Sequence, residues 1–264
     1  MPRRGRKLRL LALLALAALL LPAVVSLLRP PPLERRGQGR AALVIDALYE
    51  WTPNDTLLRS VVEILSRAGY SVRVVKGREA TVDSFRNITL YDLVIVRCHG
   101  AYFKAGDSLG GRVLADNAPI VFTGEVFTEC LPLSCKYFSE RLGEEVVRGE
   151  FAYGNRTVSV FALTPLFFER LQGGFRRGAV VIVASCYGLT GRLLADALLG
   201  KGASVFISWD WKVSPEVMDA ALRMLLEEAL LKGRGWPEAV EAVDRALGPD
   251  PLGGGRLKAV ARGA

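Results

Sequence analysis

Two residues able to do nucleophilic chemistry, His99 and Cys186, each close an apolar run, and His99 is the only histidine in the chain. LVIVRCHG (residues 93–100) stops on His-Gly, and AVVIVAS (residues 179–185) stops on Cys186. Such runs read as buried parallel strands. In open parallel sheets, functional groups gather beyond the carboxyl ends of the strands. A thiol and an imidazole that meet there form a thiolate–imidazolium pair, which supplies a nucleophile at neutral pH. The same imidazole then protonates the leaving amine. Gly100 lets backbone come close to a substrate, so its N–H and that of Cys186 are candidate oxyanion donors. Asp46, at the end of an earlier strand, is a candidate to orient His99 from behind, and equally a candidate cap for the next turn. Taken singly, His99 reads as a satisfied strand-end histidine and Cys186 as a buried thiol. Their shared position at strand ends points to a dyad.

The elements that must position the pair follow in order. Ala41–Ala47 reads as a strand, Asn54–Ala68 as a helix with Leu58, Val61, Val62 and Leu65 on one face, and Ser71–Val75 as a second strand. A right-handed crossover makes those strands parallel. A short helical piece near Val82–Arg86 leads to the strand ending at His99. The α/β rhythm resumes with the strand ending at Ser185, a helix over Leu189–Leu199, and a strand over Ala203–Ser208. Two helices follow, one capped by Ser214 with Pro215 in its first turn, the other starting at Pro237. In the common strand order 2-1-3-4, the strands ending at His99 and Cys186 are neighbours about 4.8 Å apart. Residues 101–178 break the rhythm with glycine turns and short apolar runs at Ile120–Thr123 and Val158–Leu163, a β-rich insertion on the rim where His99 emerges. Residues 249–264 read as a flexible tail.

These residues resemble a family. An apolar strand then His-Gly, a variable stretch, then an apolar strand and Ser-Cys is similar to the caspase-like (clan CD) cysteine peptidases. The segment SCYGLTGRLLADALLGKGASVFISWDWKVS, followed by WPEAVEAVDRAL, is similar to the C-terminal half of CHAT domains. The likeness covers residues 44–247, with specific motifs only at His99-Gly100 and Ala184–Trp209. It implies an α/β three-layer sandwich around a mostly parallel central sheet, of caspase or flavodoxin-like type, over residues 41–248. It also implies His99 as general base and Cys186 as nucleophile. Relatives place pocket residues after the strand that follows the cysteine, which points to Trp209, Asp210 and Trp211. Asp210 would then favour a basic side chain before the scissile bond; as an ordinary helix-preceding aspartate it would do nothing of the kind.

The formal charge of +8 brings a nucleic-acid partner to mind, but Arg3, Arg4, Arg6, Lys7 and Arg9 precede an apolar segment and Arg29, Arg35, Arg36 and Arg40 follow it. No nucleic-acid signature accompanies them. Leu10–Leu28 holds no charge and is long enough for a membrane-spanning helix, so residues 1–29 are expected to be an anchor or a cleaved signal. Residues 30–40, with Pro30, Pro31 and Pro32, form a linker. Either way the domain is expected outside the membrane. Three of the four asparagines, Asn54, Asn87 and Asn155, lie in N-x-T sequons, as an exported glycoprotein would carry them. Cys130 and Cys135, close together in CLPLSC, are a candidate disulfide, which leaves Cys98 and Cys186 reduced. With one histidine and this cysteine spacing, neither a metal site nor a cofactor is expected. The few Asn and Gln residues fit a heat-adapted protein.

The expected function is therefore a membrane-anchored, extracytoplasmic cysteine endopeptidase acting on peptide or protein substrates. A glutamine-amidotransferase-like hydrolase is disfavoured, because there the cysteine precedes the histidine and here it follows. The non-enzymatic alternative is a caspase-like ectodomain that binds a partner and keeps the dyad as a relic.

Overall fold

Alternation along β1 (Arg40–Asp46) sends Leu43 and Ile45 to one face of a sheet and Ala42 and Val44 to the other, so both faces must be covered. The computed structural model describes residues 39–131 and 134–263, and residues 37–264 make up one unit. The Leu10–Leu28 run and its linker to Gln38 lie outside the described residues; among the described ones no helix is long and apolar enough to cross a membrane.

Asn54 caps α1 (Asp55–Arg67), its side-chain oxygen accepting the Leu57 N–H at 2.9 Å. The buried face of α1 is Leu57, Val61, Ile64 and Leu65, which returns the chain to β2 (Tyr70–Lys76), parallel to β1. The single turn α2 (Val82–Phe85) leads to β3 (Leu93–Arg97) on the other side of β1. The third strand is therefore shorter than its apolar run suggests. Cys98 N–H still bonds the Ala184 carbonyl at 3.0 Å, but the His99 carbonyl accepts from Phe122 N–H at 3.1 Å and so already belongs to a second sheet.

That second sheet is the β-rich insertion. It consists of β4 (Gly100–Phe103), the small hairpin β5 (Ser108–Leu109) and β6 (Arg112–Val113), then β7 (Ala118–Val126), the turn α3 (Phe138–Leu142), β8 (Val146–Tyr153), β9 (Arg156–Leu163) and α4 (Pro165–Glu169). Four of the strands pair antiparallel in the order β4-β7-β9-β8.

The parallel sheet resumes with β10 (Val180–Ala184) beside β3. The following helix, α5 (Leu193–Gly200), starts later than its apolar periodicity suggests. Leu189 N–H bonds the Trp209 carbonyl at 2.9 Å, Thr190 N–H closes a turn on the Tyr187 carbonyl, and Arg192, its N–H taken by Asp116 at 2.8 Å, holds the cap position of α5. Next come β11 (Val205–Trp209), α6 (Pro215–Leu226) and α7 (Trp236–Leu247). Ser214 holds the cap position of α6, but its hydroxyl goes to Asp250 at 2.6 Å rather than to the helix.

The segment after Gly248 is not a frayed tail. β12 (Leu257–Ala261) pairs antiparallel with β11 and completes a six-stranded sheet in the order β12-β11-β10-β3-β1-β2. Its alternation is the reason: Leu257, Ala259 and Ala261 meet the face covered by α1, α6 and α7, and Val260 meets the other. With helices on that face and α4, α5 and the inserted sheet against the opposite one, the architecture is a three-layer α/β sandwich.

Candidate active site

Parallel pairing of β3 with β10 runs in register from Val180 opposite Leu93 to Ala184 opposite Arg97. His99 and Cys186 are therefore each two residues past the last paired position, on adjacent strands. Their side chains part from there. The Cys186 thiol donates to the Val213 carbonyl at 3.5 Å and accepts from the Val213 N–H at 3.4 Å. The His99 ring lies on Phe151 of β8, with centroids 4.0 Å apart and planes tilted by 32°, and faces Phe122 edge-on at 6.5 Å. Among the described residues no hydrogen bond joins the two, and neither imidazole nitrogen has a hydrogen-bond partner.

Electrostatics follow from that placement. Burial lowers the His99 pKa to about 4, helped by the positive charge of Arg97. Burial raises the Cys186 pKa against the favourable Val213 N–H. Both shifts favour the neutral thiol and the neutral imidazole over the expected ion pair, because desolvation of these partly buried groups penalises both charges. Cys98, fully buried on the opposite face, is pushed up to about 12 by burial and is inert.

Both proposed oxyanion donors are open. Phe122 N–H binds the His99 carbonyl, so antiparallel alternation leaves the Gly100 N–H on the side of β4 that β7 does not use. β4 is an edge strand. The Cys186 N–H has no backbone acceptor among the described residues. Gly100 is required here, since a Cβ would come within 2.3 Å of the Cys186 carbonyl oxygen. Tyr187 has φ of 64°, a left-handed conformation that costs a non-glycine residue about 1–2 kcal/mol. Its ring contacts Tyr102 at 4.9 Å and Trp211 at 5.0 Å, and its N–H bonds the Trp211 carbonyl at 3.1 Å.

Asp46 does not reach His99. It lies opposite Arg97 in the β1–β3 register, and its carboxylate accepts from Arg97 Nη1 at 3.0 Å. Arg97, 2% exposed, also binds Asp219 of α6 through Nε and Nη2 at 2.6 and 2.9 Å, and the Thr52 carbonyl at 3.0 Å. A buried arginine needs this many acceptors. Asn54 joins the network, its amide nitrogen donating to Asp219 at 2.9 Å while its oxygen caps α1. Its sequon is thereby committed to structure. Asn87 is half-buried, and Asn155 stands exposed in the β8–β9 turn.

Of the three pocket candidates, Trp209 is 2% exposed and part of the core. The Asp210 carboxylate accepts the Arg256 N–H at 2.7 Å and fastens the start of β12. Only Trp211, 42% exposed, faces outward. Its partners Tyr102 and Tyr187 were not singled out from the sequence, although each lies within three residues of His99 or Cys186. Cys130 and Cys135 form a disulfide. Among the described residues no group of three or more His, Cys, Asp and Glu side chains is placed to hold a metal ion. No protein-family model matches the chain, and no curated protein matches it.

Proposed function

We propose that the chain is a cysteine peptidase of caspase-like type in which His99 is the general base and Cys186 the nucleophile. The observation that carries this reading is the in-register pairing of β3 and β10, which brings both residues to the same level at the carboxyl edge of a parallel sheet. A neutral pair still works. As Sγ attacks a peptide carbonyl, the imidazole takes the thiol proton, the oxyanion forms against the Gly100 and Cys186 N–H groups, and the same proton passes to the departing amine. Water then hydrolyses the thioester. For this the thiol must leave Val213 and turn to the unpartnered imidazole. Asp210 gives one carboxylate oxygen to the Arg256 N–H, a structural role that does not require a basic substrate side chain. In this reading Leu10–Leu28 tethers the domain on the outer side of a membrane.

Digestion of a peptide library by wild type, Cys186→Ala and His99→Ala tests it. Cleavage that disappears in both variants is the expected result; cleavage that survives Cys186→Ala, or none by the wild type, sinks it. One observation favours a second reading, a binding ectodomain without catalysis: the resting thiol is bonded to Val213 and not to His99. Absence of wild-type cleavage would favour it.

A further inference from the structure

The inserted sheet meets the imidazole with two rings, Phe151 at 4.0 Å and Phe122 edge-on at 6.5 Å. Along β8, Val147, Gly149 and Phe151 share a face, and that face joins Ile120, Phe122, Val160 and Ala162 in a small apolar cluster of its own. Gly149 makes room, since a Cβ there would lie 2.8 Å from the Phe122 ring. Phe122 and Phe151 then lie 6.3 Å apart with His99 against both. Trp51, from the loop after β1, meets Phe151 edge-on at 4.9 Å and backs it. The ring that touches His99 is thus itself held by residues from β7 and from the β1 loop.

We propose that Phe151 is a positioning residue for His99: the β8–β9 hairpin lays its ring on the imidazole, fixes the plane of that ring and shuts water out from one face. The proposal rests on the reading of His99 as general base for its functional meaning, but not for its physical content. Charges around the imidazole are otherwise quiet. Arg97 is the one that acts on it, and Asp46 and Asp219 hold that guanidinium on the helix-covered face. Glu50 of the β1 loop is paired with Arg78, and Glu150 of β8 with Arg148. The Cys186 thiol, its pKa raised by burial, is turned away to Val213. Apolar contact is what remains to set the imidazole's state, and Phe151 makes the closest ring contact.

Because His99 is the sole histidine, its imidazole C2–H resonance reads this directly by NMR in the whole folded chain. In wild type the titration midpoint is expected at about 4. Phe151→Ala should raise it by at least about one unit toward the ordinary value near 6.5. Phe151→Tyr, which keeps the stacked ring, should restore the wild-type midpoint, and Trp51→Ala should give a smaller rise in the same direction. A Phe151→Ala midpoint within about 0.3 unit of wild type overturns the proposal. So does a rise in Phe151→Tyr equal to that in Phe151→Ala. Peptide turnover reports separately: the expected shift without any turnover leaves the positioning role standing and sinks the hydrolase reading alone.

Discussion

Arg97 and Asp219 are 122 residues apart in the chain and joined by two parallel N–H···O bonds of 2.6 and 2.9 Å. Arg97 precedes His99 by two residues, and Asp219 stands on the helix that starts just after Val213, the residue holding the Cys186 thiol. The forked pair ties the two halves of the candidate site together through the core.

Replacing Arg97 by Met strands Asp46 and Asp219 as buried, unpaired carboxylates and should cost about 3–5 kcal/mol of unfolding free energy. Replacing all three by apolar residues of similar size should recover most of that loss. Urea unfolding midpoints of the single and triple variants decide the matter; equal losses in both would show that the charges are not what the site requires.

Gly100→Ala puts a methyl group where the Cys186 carbonyl oxygen already lies, at 2.3 Å, and the obstacle is backbone. The strand ends must spread, with a cost of about 1–3 kcal/mol and loss of any His99-dependent activity. Gly200→Ala at the end of α5 is the control, because nothing lies within 4 Å of its added Cβ. A Gly100→Ala protein as stable and as active as the Gly200→Ala protein contradicts the close approach.

The depressed His99 pKa makes stability depend on pH in one window. Above about pH 6.5 the imidazole is neutral in both folded and unfolded chains and contributes no slope. As pH falls from there, the unfolded chain takes up a proton that the folded one accepts only near pH 4. The penalty grows through that interval to about 3 kcal/mol and levels off below it. Wild type should therefore lose about 2–3 kcal/mol more than His99→Gln between pH 7.5 and 4.5 in parallel urea titrations. Equal losses would mean that the folded imidazole titrates like an exposed one. The acid limb of any peptidase activity belongs near pH 4 for the same reason.

Glycan occupancy should distinguish the sequons. In a host that modifies exported asparagines, mass spectrometry of the product should find Asn155 modified and Asn54 bare, because Asn54 uses both amide ends, on Leu57 and on Asp219. A fully occupied Asn54 would mean that its Nδ2 is not engaged with Asp219 when modification occurs.

Much of this was legible in the residues. Apolar runs bounded by turns located β1, β2, β3, β10 and β11, and the crossover rule gave their parallel order. What hid was whatever depends on a partner distant in sequence. Asp46 looked free to orient His99 because nothing local announces that Arg97 faces it across the strand pair. Asp210 looked available because its donor, Arg256, lies in a stretch whose glycines suggested fraying. The short alternation Leu257, Ala259, Ala261 was a signal for β12, masked by the Gly/Pro-rich run before it. Phe151 gave no local signal, since only tertiary pairing of the inserted sheet brings it over His99.

The place of β12 beside β11 has a temporal meaning. Asp210 is held from both sides by Arg256, the Lys212 carbonyl by Gly255 N–H, and Ser214 by Asp250. Residues 209–214, among them Val213 that bonds the Cys186 thiol, are thus locked only once residues 250–256 arrive. On a ribosome that interval is on the order of seconds. A chain still being made therefore carries the Cys186 thiol on a support that residues 250–256 have not yet fastened.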